Sequence, residues 1–180
     1  PVDLHRAVDN PRGGYLAFLG RIAPEKRPDR AIAIALATGA KLKIAAKVDR
    51  VDEAYFREQI APLIDESKGI EFIGEINERQ KSAFLGEASA LLFPIDWPEP
   101  FGLVMIEAMA CGTPVVASRV GGLAYTVQDE TSGLLVPERD PAALAEALGR
   151  VLGDPDLRAR LGAGAVRVAG RFSWPAVADL

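Results

Sequence analysis

The chain has 180 residues, 49% of them hydrophobic and 26% charged, with a formal net charge of −4. That length suits one domain or one lobe of a larger protein, and folding at this size buries roughly 70% of the unfolded surface, so no disulfide staple is needed. The mild acidity argues against a nucleic-acid binder, no apolar run approaches the ~18 residues of a membrane helix, and a single cysteine, Cys111, cannot close an internal disulfide, which fits a reducing, cytoplasmic setting.

Residues 1–12 are irregular and proline-bounded and read as an interdomain linker tail, with residues 13–180 forming the domain. The chain begins with Pro1 rather than Met, as expected of a piece cut from a longer protein. Residues 15–19 read as a buried strand, and Pro28 sits at the first turn of a helix that Gly39 stops. Residues 42–46 form a second strand, after which Asp52 is placed to cap a helix running to Ile64. A third strand spans 70–73, and Asn77 caps a helix over 78–86. Residues 90–93 are a fourth strand, followed by a proline-rich loop and an apolar helix that ends at Gly112-Thr113-Pro114. Residues 115–117 and 133–136 are the last two strands, with a short helix after Gly121-Gly122 between them. Pro141 and Pro155 open helices to Leu152 and Arg171, and Ser173 is placed to cap a final one. Strands apolar on both faces with helices between them predict a doubly wound, Rossmann-like parallel α/β sheet. Ligands of such sheets bind at the carboxyl ends of the strands.

Two carboxylates carry the functional signal. Residues 102–111 are apolar on every side of a helical wheel except at Glu107. A helix without a polar face is buried all round, and an unpaired buried carboxylate is costly. Glu107 is therefore expected to hold a ligand, or to sit in a buried salt bridge. Glu99 lies just before this helix, as a candidate cap or a second ligand-binding carboxylate. The unpaired N–H groups and dipole at the helix start attract anions, so a phosphate fits on Phe101, Gly102 and Leu103. Carboxylates accept from hydroxyls and suit a polyol such as ribose or hexose. After the first strand, Gly20 permits close ligand approach, and Arg21 and Lys26 form a candidate diphosphate clamp, although a solvated loop with surface charges is the plainer reading.

The pattern Glu99-x7-Glu107, with Pro-Phe-Gly after the first Glu and Ala-Met-Ala-Cys-Gly-Thr-Pro after the second, resembles the retaining glycosyltransferases of family four. Gly20-Arg21…Glu25-Lys26, Phe72-Ile73-Gly74-Glu75, Gly121-Gly122 and residues 131–136 agree in order, over about residues 14–175. The resemblance implies one lobe of a GT-B fold, the carboxyl-terminal donor-binding lobe, with the amino-terminal acceptor lobe absent. It implies that Arg21 and Lys26 hold the diphosphate of a nucleotide sugar and, with Glu99, form the catalytic set. Glu107 would hold ribose hydroxyls and Glu99 those of the donor sugar. The backbone of Phe101, Gly102 and Leu103 would meet sugar and phosphate beside Gly20, and the loop of Gly74, Glu75 and Ile76 would face the base. No cofactor and no metal are implied, because the basic pair and the helix dipole act on the leaving diphosphate. The substrate would be a UDP-, GDP- or ADP-sugar, transferred with retention through an oxocarbenium-like transition state. Partners would be that nucleotide sugar and the absent lobe, with no nucleic acid, and membrane association of the full-length enzyme is left open.

Several positions depart from the family pattern. Arg27 stands where glycine is common and would add a cation near the phosphates, Lys47 is a candidate phosphate or base contact, and Leu123-Ala124-Tyr125 replaces the usual residues after the two glycines. His5 lies in the tail, Cys111 reads as a small core residue, Trp97 as a wall of the sugar site or loop packing, and Trp174 as a helix anchor. Three other functions compete. A retaining glycoside hydrolase needs carboxyls ~5–5.5 Å apart and leaves Arg21 and Lys26 idle. A nicotinamide-binding domain lacks its glycine fingerprint after the first strand. A nucleotide-sugar binding module without catalysis is the remaining alternative.

Overall fold

The computed structural model describes residues 14–172. The tail, with His5, and the readings of Ser173 and Trp174 lie outside them. Six strands form one parallel sheet in the order β3-β2-β1-β4-β5-β6. They are β1 Tyr15–Arg21, β2 Lys41–Lys47, β3 Ile70–Gly74, β4 Ala90–Phe93, β5 Val115–Ser118 and β6 Gly133–Val136. The four residues of each of β4, β5 and β6 are all buried. That is why these strands, Ser118 aside, are apolar rather than alternating.

Helices cover both faces. Alternation along β1 sends Tyr15, Ala17 and Leu19 into an apolar cluster with α3 (Glu78–Gly86), α4 (Leu103–Ala110) and α7 (Pro155–Ala169). Leu16 and Phe18 point the other way, into a second cluster with α1 (Pro28–Thr38) and α6 (Pro141–Gly153). Helix starts follow their caps. Asn77 accepts from the Gln80 backbone while Gln80 reaches back to the Asn77 N–H. Asp140 and Asp154 cap α6 and α7, each ahead of a proline in the first turn.

Three expectations change. The helix from Asp52 to Ile64 is broken into a 3-10 turn at Arg50–Asp52, α2 (Glu53–Tyr55), a π-turn at Phe56–Ile60 and a second 3-10 turn at Ala61–Leu63. Pro62 has no N–H to continue an α ladder, and the Asp52 side chain caps nothing. The last long helix stops at Ala169 and tightens into a 3-10 turn over Gly170–Phe172. Helix α4 is not buried all round: Leu103 is 66% exposed, and Val104 and Glu107 are partly so. Its first turn projects beyond the sheet edge, so its apolar surface there faces a cavity instead of core.

The strand order reverses between β1 and β4, whose carboxyl ends carry Gly20 and Phe93. This is the topological switch point where open α/β sheets hold ligands.

Candidate functional site

A cavity of about 330 Å³ opens at that switch point. Its floor is Phe18 to Gly20 of β1 and Phe93 of β4, and its wall is the segment from Glu99 to Val104. A second cavity, of about 250 Å³, continues on the β2 side and shares Leu19, Gly20 and Val104 with the first. Gly20 is the hinge of the two. It lies within the strand, not in a tight turn after it, and a Cβ built on it would meet nothing within 4 Å. The residue is small where space is needed above the backbone.

The wall is shaped from below. Gly102 caps α4 at φ 72°, a left-handed conformation, and offers no side chain to the first-turn N–H groups. The Thr126 hydroxyl donates to the Phe101 carbonyl at 2.6 Å and is fully buried. The turn at Gly121-Gly122 forms a bed for the loop: the Gly122 N–H donates to the Glu99 carbonyl at 2.7 Å, and a Cβ on either glycine would strike the backbone of residues 98–100. Tyr125, in the short helix α5 (Leu123–Thr126) that follows, is 86% exposed and clear of both cavities.

Lys26 and Glu99 are brought together. The Lys26 ammonium donates to Glu99 Oε2 at 2.5 Å, with both side chains about four-fifths buried, and sits 5.8 Å from the centre of the Phe93 ring. Arg21 is not brought to Lys26. Its guanidinium bonds Glu25 at 2.9 Å and lies 3.6 Å from Asp49 and 3.8 Å from Asp52, among the charges beyond β2. It lines neither cavity. Nor does Arg27 add a free cation. It stands at φ 54°, where glycine is favoured, and bonds Asp29 and Asp96. Arg30 grips the same Asp96 through two nitrogens, at 2.7 and 3.0 Å. The Asp29 hydrogen bond first, and then Asp96, hold the Arg27 pKa well above its ordinary value. Burial alone would raise the Asp96 pKa, but its bonds to Arg30 and Arg27 pull it below the usual carboxylate range.

Glu107 is neither unpaired nor fully buried. Its side chain is 22% exposed and accepts from Lys81 of α3 at 3.2 Å, and Lys81 also bonds Glu78 at 2.7 Å. Lys81 and Glu78 line the second cavity with Glu75, Ile76 and Lys47, while Gly74 turns the chain there at φ 76°. Lys47 is held by Asp49 at 3.1 Å. Glu99 and Glu107 thus each face a different lysine, one per cavity. Cys111 is fully buried, and burial, helped by the charge of Glu107, pushes its thiol up to about 12. Trp97 is 53% exposed and does not line the first cavity.

Lys81, Thr126 and Asp96 carry no local sequence signal, and the Gly121-Gly122 motif gives no hint of what it supports. Each acts on a residue 22 to 69 positions away, through contacts that only the fold creates.

The sequence profile of the glycosyl transferases group 1 family matches residues 6–167. The chain belongs to that family. The D-inositol 3-phosphate glycosyltransferase of Salinispora tropica is 37% identical over 183 residues, covering 94% of this chain. The chain spans only 37% of that relative's length. Sucrose-phosphate synthase from Thermosynechococcus elongatus superposes at a TM-score of 0.87 with 34% identity, over 98% of this chain and 48% of the synthase. Anabaena HepE, solved with UDP and glucose, superposes at 0.83 with 21% identity over 94% of this chain and 50% of its own. The structural neighbours are GT-B glycosyltransferases, and the six-stranded parallel sheet is one Rossmann-like unit of that architecture.

Proposed function

We propose that the chain is the donor-binding lobe of a retaining, metal-independent glycosyltransferase that moves a sugar from a nucleoside-diphosphate sugar to an acceptor. One observation carries the reading: the Lys26–Glu99 pair sits at the mouth of a cavity walled by the first turn of α4, with a second cavity joined to it across Gly20. In this reading the diphosphate lies between the Lys26 ammonium and the N–H groups of α4, which together stabilise charge on the leaving group without a metal. The sugar hydroxyls reach Glu99 in the first cavity. The nucleoside enters the second, its base toward Glu75 and Ile76 and its ribose toward Glu107. Arg21 reaches the diphosphate only by leaving Glu25, Asp49 and Asp52. Its long side chain is 44% exposed, and surface ion pairs of this kind are worth about 1 kcal/mol or less each.

UDP is the first donor nucleotide to test, since HepE was solved with UDP and glucose. The acceptor and the rest of the reaction rest on the amino-terminal lobe that the longer relatives imply. Calorimetric titration of the folded chain with uridine, guanosine and adenosine diphosphates tests the reading. Saturable binding of one of them supports it, and heat-free titrations with all three overturn it.

A further inference from the structure

Glu107 lies on α4 one turn after Val104, which lines the second cavity. A carboxylate among apolar neighbours needs something to hold both its charge and its direction. The neighbouring helix provides it. Lys81, in the second turn of α3, is 20% exposed and donates to Glu107 Oε1 at 3.2 Å while a second bond, at 2.7 Å, ties it back to Glu78 at the start of its own helix. Burial works against its charge, yet the bond to Glu78 and the charge of Glu107 outweigh that and raise the ammonium above the ordinary lysine value. Lys81 and Glu78 both line the cavity, so the ammonium stands at the boundary between the carboxylate and the space a nucleoside would fill.

An ammonium carries three donors and a carboxylate about four acceptor sites. One Lys81 proton on Oε1 restricts the rotation of the carboxylate and by itself takes only one of those acceptor sites. We propose that Lys81 is a positioning residue that orients Glu107 toward the ribose hydroxyls of a nucleoside-diphosphate donor and so sets a preference for ribonucleotides over deoxynucleotides. This deepens the proposed function and rests on it. Lys81 does not touch the reacting atoms. It acts through the Glu107 carboxylate, and Glu78 holds it in place from behind.

The test uses the 180-residue chain, which carries its own two-sided core. The tightest binder among uridine, guanosine and adenosine diphosphates is titrated calorimetrically beside its 2′,3′-dideoxy counterpart. A charge-assisted hydrogen bond is worth about tenfold in affinity or more. The wild type should therefore prefer the ribonucleotide by that factor. Lys81→Met should lower the preference to that of Glu107→Gln, and Lys81→Arg should restore most of it. If Lys81→Met melts below the assay temperature, Lys81→Gln, which keeps a donor for Glu78, carries the same comparison. A preference that survives loss of the ammonium overturns the assignment, as does equal weakening of both nucleotides or a wild type with no preference. A wild type that binds none of the three diphosphates overturns the nucleotide reading itself, which is a separate result.

Discussion

Glu99 makes the sharpest demand on a single residue. Its carboxylate holds Lys26 at 2.5 Å while bounding the cavity proposed for the sugar. Glu99→Gln keeps the shape and removes the charge. It should leave nucleoside-diphosphate affinity within a few fold and weaken the nucleotide sugar by about tenfold, read by calorimetry with both ligands. Gly20 gives a complementary prediction. Its backbone is extended and its surroundings open, so Gly20→Val should change stability by less than about 1 kcal/mol in urea unfolding. The added methyl groups enter the space shared by the two cavities, so diphosphate binding should fall below detection. Glu99, Gly20 and Lys26 were legible in the sequence because the motif and the strand ends locate them without long-range information. Lys81 was not: its meaning lies in a partner 26 positions away on another helix. The same gap explains why Glu107 read as fully buried, with a ligand or a salt-bridge partner that the sequence did not name. A helical wheel shows which faces are apolar, but not that the first turn of α4 overhangs a cavity.

Elements show a different division. The six strands are near-continuous apolar runs closed by glycine, proline or a charged residue, and these were legible within a residue or two. The helix expected over 52–64 failed on one residue, Pro62, which interrupts a segment too short to absorb the loss. The loops after β1 and β4 are tied by Asp96, which holds Arg27, next to Lys26, and Arg30 of α1. Asp96→Ala leaves two guanidinium groups short of a carboxylate and should cost about 1–3 kcal/mol in chemical denaturation. Arg27→Gly breaks one of the same links, but it also relieves the left-handed strain of a non-glycine residue at φ 54°, worth about 1–2 kcal/mol. It should therefore destabilise less than Asp96→Ala. A larger loss in Arg27→Gly would mean that the ion pair outweighs the backbone term.

At the scale of the molecule, the two apolar clusters lie on opposite faces of one sheet and share its strands. Neither face can open without exposing the other. Thermal unfolding of the described unit should be a single transition, with calorimetric and van't Hoff enthalpies in agreement. Two buried groups contribute to its alkaline limit, beside the half-buried Tyr55, whose hydroxyl burial also raises. Burial, with smaller contributions from Glu87 and Glu71, raises the Tyr15 hydroxyl from 10.0 to about 12, and burial with Glu107 raises the Cys111 thiol from 9.0 to about 12. Below about pH 8 both groups are protonated in the folded and unfolded chains, so stability does not respond to them. Above it the unfolded chain loses protons first, so stability falls as pH rises through the window up to about 12. Denaturant midpoints measured across that window check this, and in Cys111→Ala the fall should begin at higher pH. The sheet and its switch point were legible from element order alone, because parallel strands with crossover helices leave few topologies. How that edge divides into two cavities was not, since this depends on the side of the sheet edge to which each loop bends.

The same buried thiol has a practical consequence. Cys111 is the sole cysteine of the sequence, fully enclosed and held neutral at ordinary pH. This 180-residue chain therefore already serves as a silent background for thiol labelling. A cysteine introduced at Tyr125, 86% exposed in α5 just after the turn that bears the Glu99 loop, would be its only fast-reacting thiol. A fluorophore attached there would report motions of that loop as ligands arrive, with no native cysteine removed.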